Sequence, residues 1–360
     1  MSLPATTQTT AIDRSTPDAL RAAYIEATTE NPKARLRDVA DQLGVSEAEL
    51  VDCGAEAPSR RLAPNWRELL LAMPTLGKVM VLTRNASCVH ERKGRFEDVS
   101  VNPHGALVLG PDIDLRIFLN RWHFGFAVQR TLADGAVRRS LQFFDRDGLA
   151  VFKLFLTDDS DVAAYDALVA KHLEGAPVGR LDIKAYPAGK RARADGEIDV
   201  EGLRTAWRNM KDTHEFFGML RKFDVGRTQA LRLVGGEFAD RIAASGFNLM
   251  LQAAAKTGDE IMIFVGSPGC IQIHTGKVSN IKPLGPWINV LDPDLNLHLR
   301  GDRIAETWVV RKPTSDGVVT SLEIFDHAGE TIALAFGKRK PGQPELARWR
   351  DLIAMLPRVS

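Results

Sequence analysis

Three cysteines in 360 residues, Cys53, Cys88 and Cys270, are too few and too scattered for a disulfide framework, and they fit a reducing compartment. No apolar run approaches the roughly 18 residues that a bilayer span needs, so membrane insertion is not expected. The N-terminal MSLPATTQTTAIDRSTPDAL has neither a basic region followed by an apolar one nor an Arg-rich transit pattern, which leaves a cytoplasmic location as the expectation. Charge of one sign is also lacking. With 47 Lys and Arg against 46 Asp and Glu, the net charge of +1 supplies no field for a nucleic-acid backbone. No CxxC, CxxCH or HExxH is present, so a protein-held metal other than one brought by a ligand is not predicted. LVGGEF and VGSPG lack phosphate-loop and dinucleotide spacing, and no Gly-x-Ser-x-Gly elbow supports a serine hydrolase.

What the chain does contain is a repeat. VMVLTRNASCVHERKGRFEDV from Val79 lies without gaps over IMIFVGSPGCIQIHTGKVSNI from Ile261, pairing Cys88 with Cys270 and Gly94 with Gly276. DLRIFL from Asp114 lies over DLNLHL from Asp294, and SLQFFDRDG from Ser140 over SLEIFDHAG from Ser321, in the same order. The blocks alternate polar and apolar residues or run apolar over strand lengths, and Asp145 to Gly148 and Asp326 to Gly329 read as hairpin turns. Helical stretches precede each meander, around residues 20–51 and 214–256. The expected fold is α+β, a tandem duplication of a unit with a large antiparallel sheet and flanking helices. The expected division is an N-terminal repeat over 1–180, an exposed linker over 181–199 and a C-terminal repeat over 200–360.

RLRDVADQLGVSEAELV has the outline of a helix-turn-helix with Ser46 as N-cap, but Glu47 and Glu49 stand where DNA would require basic side chains. A structural helical hairpin is the preferred reading, with a DNA-binding regulator as the alternative. Among the eight histidines, His104, His172 and His327 fall beside loop signals and are expected to face solvent. His90, His123, His274 and His298 lie in strand-like segments and read as satisfied sheet histidines. His214 differs, because Asp212 and Glu215 form a D-x-x-E start signal that puts it in the first turn of a helix. Phe217 and Gly218 share its face, and a glycine there can leave room for something flat. On the residues alone, a buried structural histidine and an axial iron ligand both remain open.

WRNMKDTHEFFGMLRKFDVGRTQALRLV, RNASCVHERKGRF, DLRIFLNRW, SLQFFDRDG and VVRKPTSDGVVTSLEIFDHAG together resemble the hemin-degrading, hemin-transport family of bacterial haem-uptake systems. The resemblance covers nearly the whole chain and includes its duplication. It implies a haem b ligand or substrate lying in a cleft of the C-terminal half, with His214 as the axial ligand of the haem iron. It also implies Arg116 on the distal side, as the candidate catalytic residue, and Arg227, Lys312 and Arg339 as contacts of the haem propionates. Phe336 stands where the family often carries a tyrosine, so a distal hydroxyl is lost. Strand alternation sets Arg116 and Phe118 on one face and Leu115, Ile117 and Leu119 on the other. Copy two has Asn296 at the Arg116 position, so one full site is expected, with His90 an open question as a second. The implied function is cytoplasmic haem trafficking to degradation, or degradation by the chain itself; a pure haem carrier is the alternative. The inner-membrane importer and a haem oxygenase are the implied partners, and the chain is expected as a monomer or homodimer.

Overall fold

A computed structural model describes residues 16–32, 34–103, 105–175, 180–187, 192–339 and 342–359. The first repeat runs α1 (Pro17–Glu30), α2 (Leu36–Leu43), α3 (Glu47–Asp52), β1 (Ser59–Arg61), α4 (Trp66–Ala72), β2 (Gly77–Arg84), β3 (Cys88–Arg95), β4 (Asp98–Asn102), β5 (Gly105–Leu109), β6 (Asp114–Ile117), β7 (Phe124–Thr131), β8 (Val137–Phe144), β9 (Ala150–Ser160) and α5 (Val162–His172). The second runs α6 (Val200–Arg208), α7 (Glu215–Lys222), α8 (Arg227–Val234), β10 (Ala239–Ile242), α9 (Gly246–Thr257), β11 (Ile261–Ser267), β12 (Cys270–Gly276), β13 (Ile281–Leu284), β14 (Trp287–Leu291), β15 (Leu295–Arg300), β16 (Glu306–Thr314), β17 (Gly317–Phe325), β18 (Thr331–Gly337) and α10 (Ala347–Ala354).

The strands form two nine-stranded antiparallel sheets, ordered β1-β7-β8-β9-β2-β3-β15-β14-β13 and β10-β16-β17-β18-β11-β12-β6-β5-β4. Each sheet therefore takes three strands from the other repeat. β15 pairs with β3, setting Leu297 opposite His90, and β6 pairs with β12, setting Arg116 opposite Ile271. The duplication and the hairpin turns stand as expected: Gly148 and Gly329, both at positive φ, donate their N–H groups to the Asp145 and Asp326 carbonyls. The exchange itself makes the repeats interlock instead of standing as separate sheets.

Alternation then sorts the side chains. Val79 and Val81 of β2 pack with Val108, Leu115 and Ile117 of the exchanged strands in one core, while Ile261 and Ile263 of β11 pack with Leu295, Leu297 and Leu299 in another. These inner faces meet at the centre of the molecule. On the outer face of the second sheet, α6, α7 and α8 cover only the end near β16 and β17, through Trp207, Phe216, Met219, Trp308 and Val310. The rest of that face is the candidate site.

Several sequence readings are corrected here. β10 interrupts the stretch expected to be helical from 214 to 256. Part of the expected linker is packed: half-buried Leu181 and Ile183 join the core around α3, and Lys184 bonds to the Arg146 carbonyl. His172 does not face solvent, since α5 ends inward and leaves it 2% exposed. His123 lies exposed in the connection before β7, outside any strand, and His104 lies outside the described residues. The helical hairpin stands as a structural element, with Gly44 in the left-handed region and Ser46 and Glu49 exchanging capping hydrogen bonds. Its second helix buries Glu47, Ala48, Leu50 and Val51 against the first repeat, so that face is not available to a DNA groove. Glu47 is paired there with Arg84 and Lys153.

Candidate functional site

The outer face of the second sheet can be read row by row from its register. One row runs Trp308, Glu323, Leu334, Phe264, and the next runs Val310, Ser321, Phe336, Met262. A third runs Leu107, Arg116, Ile271, Gly266, crossing from the strands of the first repeat into those of the second. With strands about 4.8 Å apart, the uncovered part from β18 to β6 is about 14 Å wide. Met262, Phe264, Leu334 and Phe336 give it an apolar floor of partly exposed side chains, and Phe264 and Phe336 meet edge to face at 5.1 Å. Phe336 has no hydroxyl to place on this floor.

Arg116 stands at the β6 end of the floor with a third of its side chain exposed, ion-paired to Asp114 two residues earlier. Leu115 and Ile117 are buried on the inner face and Phe118 is exposed, as alternation requires. The guanidinium is always charged and keeps donors beyond those Asp114 takes.

His214 immediately precedes α7, one position outside the expected first turn, and its side chain is 93% exposed. The reading as a buried structural histidine is therefore excluded. Its ring Nδ1 lies 2.6 Å from Asp212 Oδ1, and the same oxygen accepts the His214 backbone N–H at 2.8 Å. A β-carbon added at Gly218, one turn along, would meet nothing within 4 Å, and Phe217 beside it is 64% exposed. The histidine and the exposed ring thus face solvent, with open space beside the glycine. The segment is tied to the hairpin between β16 and β17 by the Ser315 N–H, which donates to the Lys211 carbonyl at 2.9 Å.

The three cations implied as propionate contacts have different fates. Lys312 is 3% exposed, with its ammonium 2.7 Å from Glu323, so it is a core ion and not a surface cation. Arg227 reaches the same carboxylate at 2.8 Å while keeping a quarter of its side chain at the surface. Both cations lie over the Phe216 ring, at 4.5 Å for Lys312 and 5.1 Å for Arg227. Two positive partners, with Lys312 and Ser321 donating hydrogen bonds, outweigh burial and hold Glu323 down to about 2. Arg339 sits 3.4 Å from Asp316 in the same hairpin, close enough for its charge to act on Asp212.

Asp212, Asp114 and Glu323 are the residues sequence reading missed. The signal for Glu323 was present, since copy one has Gln142 at that position in SLQFF.

The equivalent face of the first repeat holds a cleft of about 650 Å³ lined by Met80, Leu82, Phe155 and Asn296, but also by Glu91 and Lys93 where copy two has Ile273 and Thr275. No histidine among the described residues lines it. His90 is fully buried on the inner face between the sheets, so it cannot serve that cleft. His90 and His274 both lack hydrogen-bond partners of normal geometry at either ring nitrogen and are not satisfied sheet histidines, whereas His298 bonds to Asn289 at 2.7 Å.

Fold and side chains together define a tandem-repeat α+β protein whose second sheet exposes an apolar outer face and whose helix α7 is preceded by an exposed imidazole. Residues 44–172 and 224–356 match the family described as the haemin-degrading HemS.ChuX domain, and the chain belongs to that family. It is 41% identical over 336 residues to the hemin transport protein HemS of Yersinia enterocolitica, covering 92% of this chain and 96% of that one. The crystal structure of holo-PhuS, a heme-binding protein from Pseudomonas aeruginosa, superposes with a TM-score of 0.93 at 46% identity, covering 96% of this chain and 100% of that one. That of ChuS, an E. coli heme oxygenase, gives 0.84 at 37%, covering 94% and 99%. No helix among the described residues is long and apolar enough to cross a membrane.

Proposed function

We propose that the chain is a haem-binding protein of bacterial haem uptake, acting in the cytoplasm between an inner-membrane importer and haem degradation. The observation that carries this reading is the exposed His214, with Nδ1 on Asp212 and open space at Gly218 one turn along, in a chain whose second sheet presents an apolar outer face that also bears Arg116. His214 would hold the iron through Nε2, while Met262, Phe264 and Phe336 keep water from the flat face of the ring system. Arg116 would donate hydrogen bonds on the side of the iron facing the sheet, and Arg227 and Arg339 would meet carboxylates at the rim. Haem itself brings redox-active iron and, in the degrading version, a porphyrin that is its own substrate. The relatives described as a hemin transport protein and a heme oxygenase support carriage and turnover alike.

Carriage without turnover is the second reading, favoured by one observation: Phe336 packs on Phe264 and leaves that part of the floor without a hydroxyl. Incubating the protein with hemin, a mild reductant and oxygen in the presence of catalase separates the two. Loss of the Soret band with a biliverdin-like product means degradation, and a persistent band means carriage. Failure to bind hemin at all would overturn the proposal.

A further inference from the structure

The contact between Asp212 and His214 does more than start a helix. One carboxylate oxygen accepts both the backbone N–H and the ring nitrogen of the same residue, at 2.8 and 2.6 Å. An aspartate carboxyl is ordinarily ionised at neutral pH. An ionised carboxylate only accepts hydrogen bonds, so the proton of a neutral imidazole must sit on Nδ1 and its lone pair on Nε2. The surrounding turn is fixed by Glu215 N–H to Asp212 carbonyl at 3.1 Å and by Ser315 N–H to Lys211 carbonyl at 2.9 Å.

We propose that Asp212 is a positioning residue, which sets the tautomer and direction of His214 and strengthens Nε2 as a donor to the iron of a bound tetrapyrrole. This rests on the reading of His214 as the iron ligand. The general logic is that a metal-binding imidazole is oriented and made more basic by a carboxylate on its other nitrogen. The two side chains are 59% and 93% exposed, so their pairing contributes little to folding and its loss should be read at the ligand.

The test compares full-length wild type with Asp212→Ala, Asp212→Asn and His214→Ala. Long-range proton–nitrogen correlation on the ligand-free protein should place the His214 proton on Nδ1 in wild type and move it largely to Nε2 in Asp212→Ala. Hemin affinity should fall about 10- to 100-fold in Asp212→Ala. In the ferrous complex, the iron–histidine stretching band should move to lower frequency in Asp212→Ala, by less in Asp212→Asn, and vanish in His214→Ala. If His214→Ala loses the band while both Asp212 variants keep the wild-type tautomer and frequency, the positioning role is wrong and the ligand assignment survives. If His214→Ala keeps the band, another residue holds the iron and both fall.

Discussion

Arg116 lies directly opposite Ile271 across the β6–β12 ladder, which puts a side chain of the first repeat on the sheet of the second. The second sheet is therefore shared by sequence halves, and so is the proposed site. Residues 196–360 alone would lose β4, β5 and β6, leaving β12 as a long unpaired edge. That fragment should associate or aggregate in size-exclusion chromatography, and co-expression with residues 1–195 should restore a discrete complex. A monomeric, cooperatively folding fragment would contradict the interlock.

Arg116→Ala should leave stability within about 1 kcal/mol, because the pair with Asp114 is part-exposed. Its effect should appear in the visible spectrum of the hemin complex and in its reaction with oxygen, with a smaller loss of affinity than His214→Ala. Absorbance titration checks both. Wild-type behaviour in all of them would make Arg116 an ordinary strand residue.

Glu47 is 2% exposed and holds Arg84 and Lys153 in the first repeat. Removing it leaves two cations with no carboxylate in a buried setting. Glu47→Ala should cost about 3–5 kcal/mol in denaturant unfolding. A loss under about 1 kcal/mol would show the cluster to be solvated.

Between the sheets, burial pushes His90 down to about 3, helped by His274, and His274 down to about 4, helped by Arg92. Both are neutral in the folded protein, whereas the unfolded chain takes up protons as pH falls through about 6.5. Stability contributed by neutral burial is thus intact above about pH 6.5 and lost progressively below it, by about 2 kcal/mol per histidine at about pH 5. His90→Gln, the residue at the equivalent place in copy two, should flatten the pH dependence of the unfolding midpoint between those values. An unchanged slope would place the acid sensitivity elsewhere.

Much of the fold was legible because its signals are local. Alternation in DLRIFL and VMVLTR marked strands and faces, Asp-to-Gly turns marked hairpins, and the repeat set their order. The pairings of β3 with β15 and β12 with β6 join segments about two hundred residues or more apart in one case and over a hundred and fifty in the other, and no local pattern encodes such a choice. β10 escaped because a four-residue strand carries too short a period to distinguish strand from helix. Within the site, the D-x-x-E signal located the start of α7, but periodicity says nothing of where a carboxylate turns. Asp212 bonds the ring of His214 through a two-residue turn that only coordinates reveal. The resemblance implies Lys312 as a propionate contact, and no local pattern shows that Glu323 on the neighbouring strand holds its ammonium in the core at 2.7 Å.

The measurement that bears most directly on the account is a hemin titration of full-length wild type and His214→Ala, followed at the Soret band. Wild type should bind close to one equivalent with a spectrum of histidine-ligated iron, and the variant should bind more weakly with a changed spectrum. Equal affinity and an identical spectrum in the variant would remove His214 from the iron and with it the cleft assigned here.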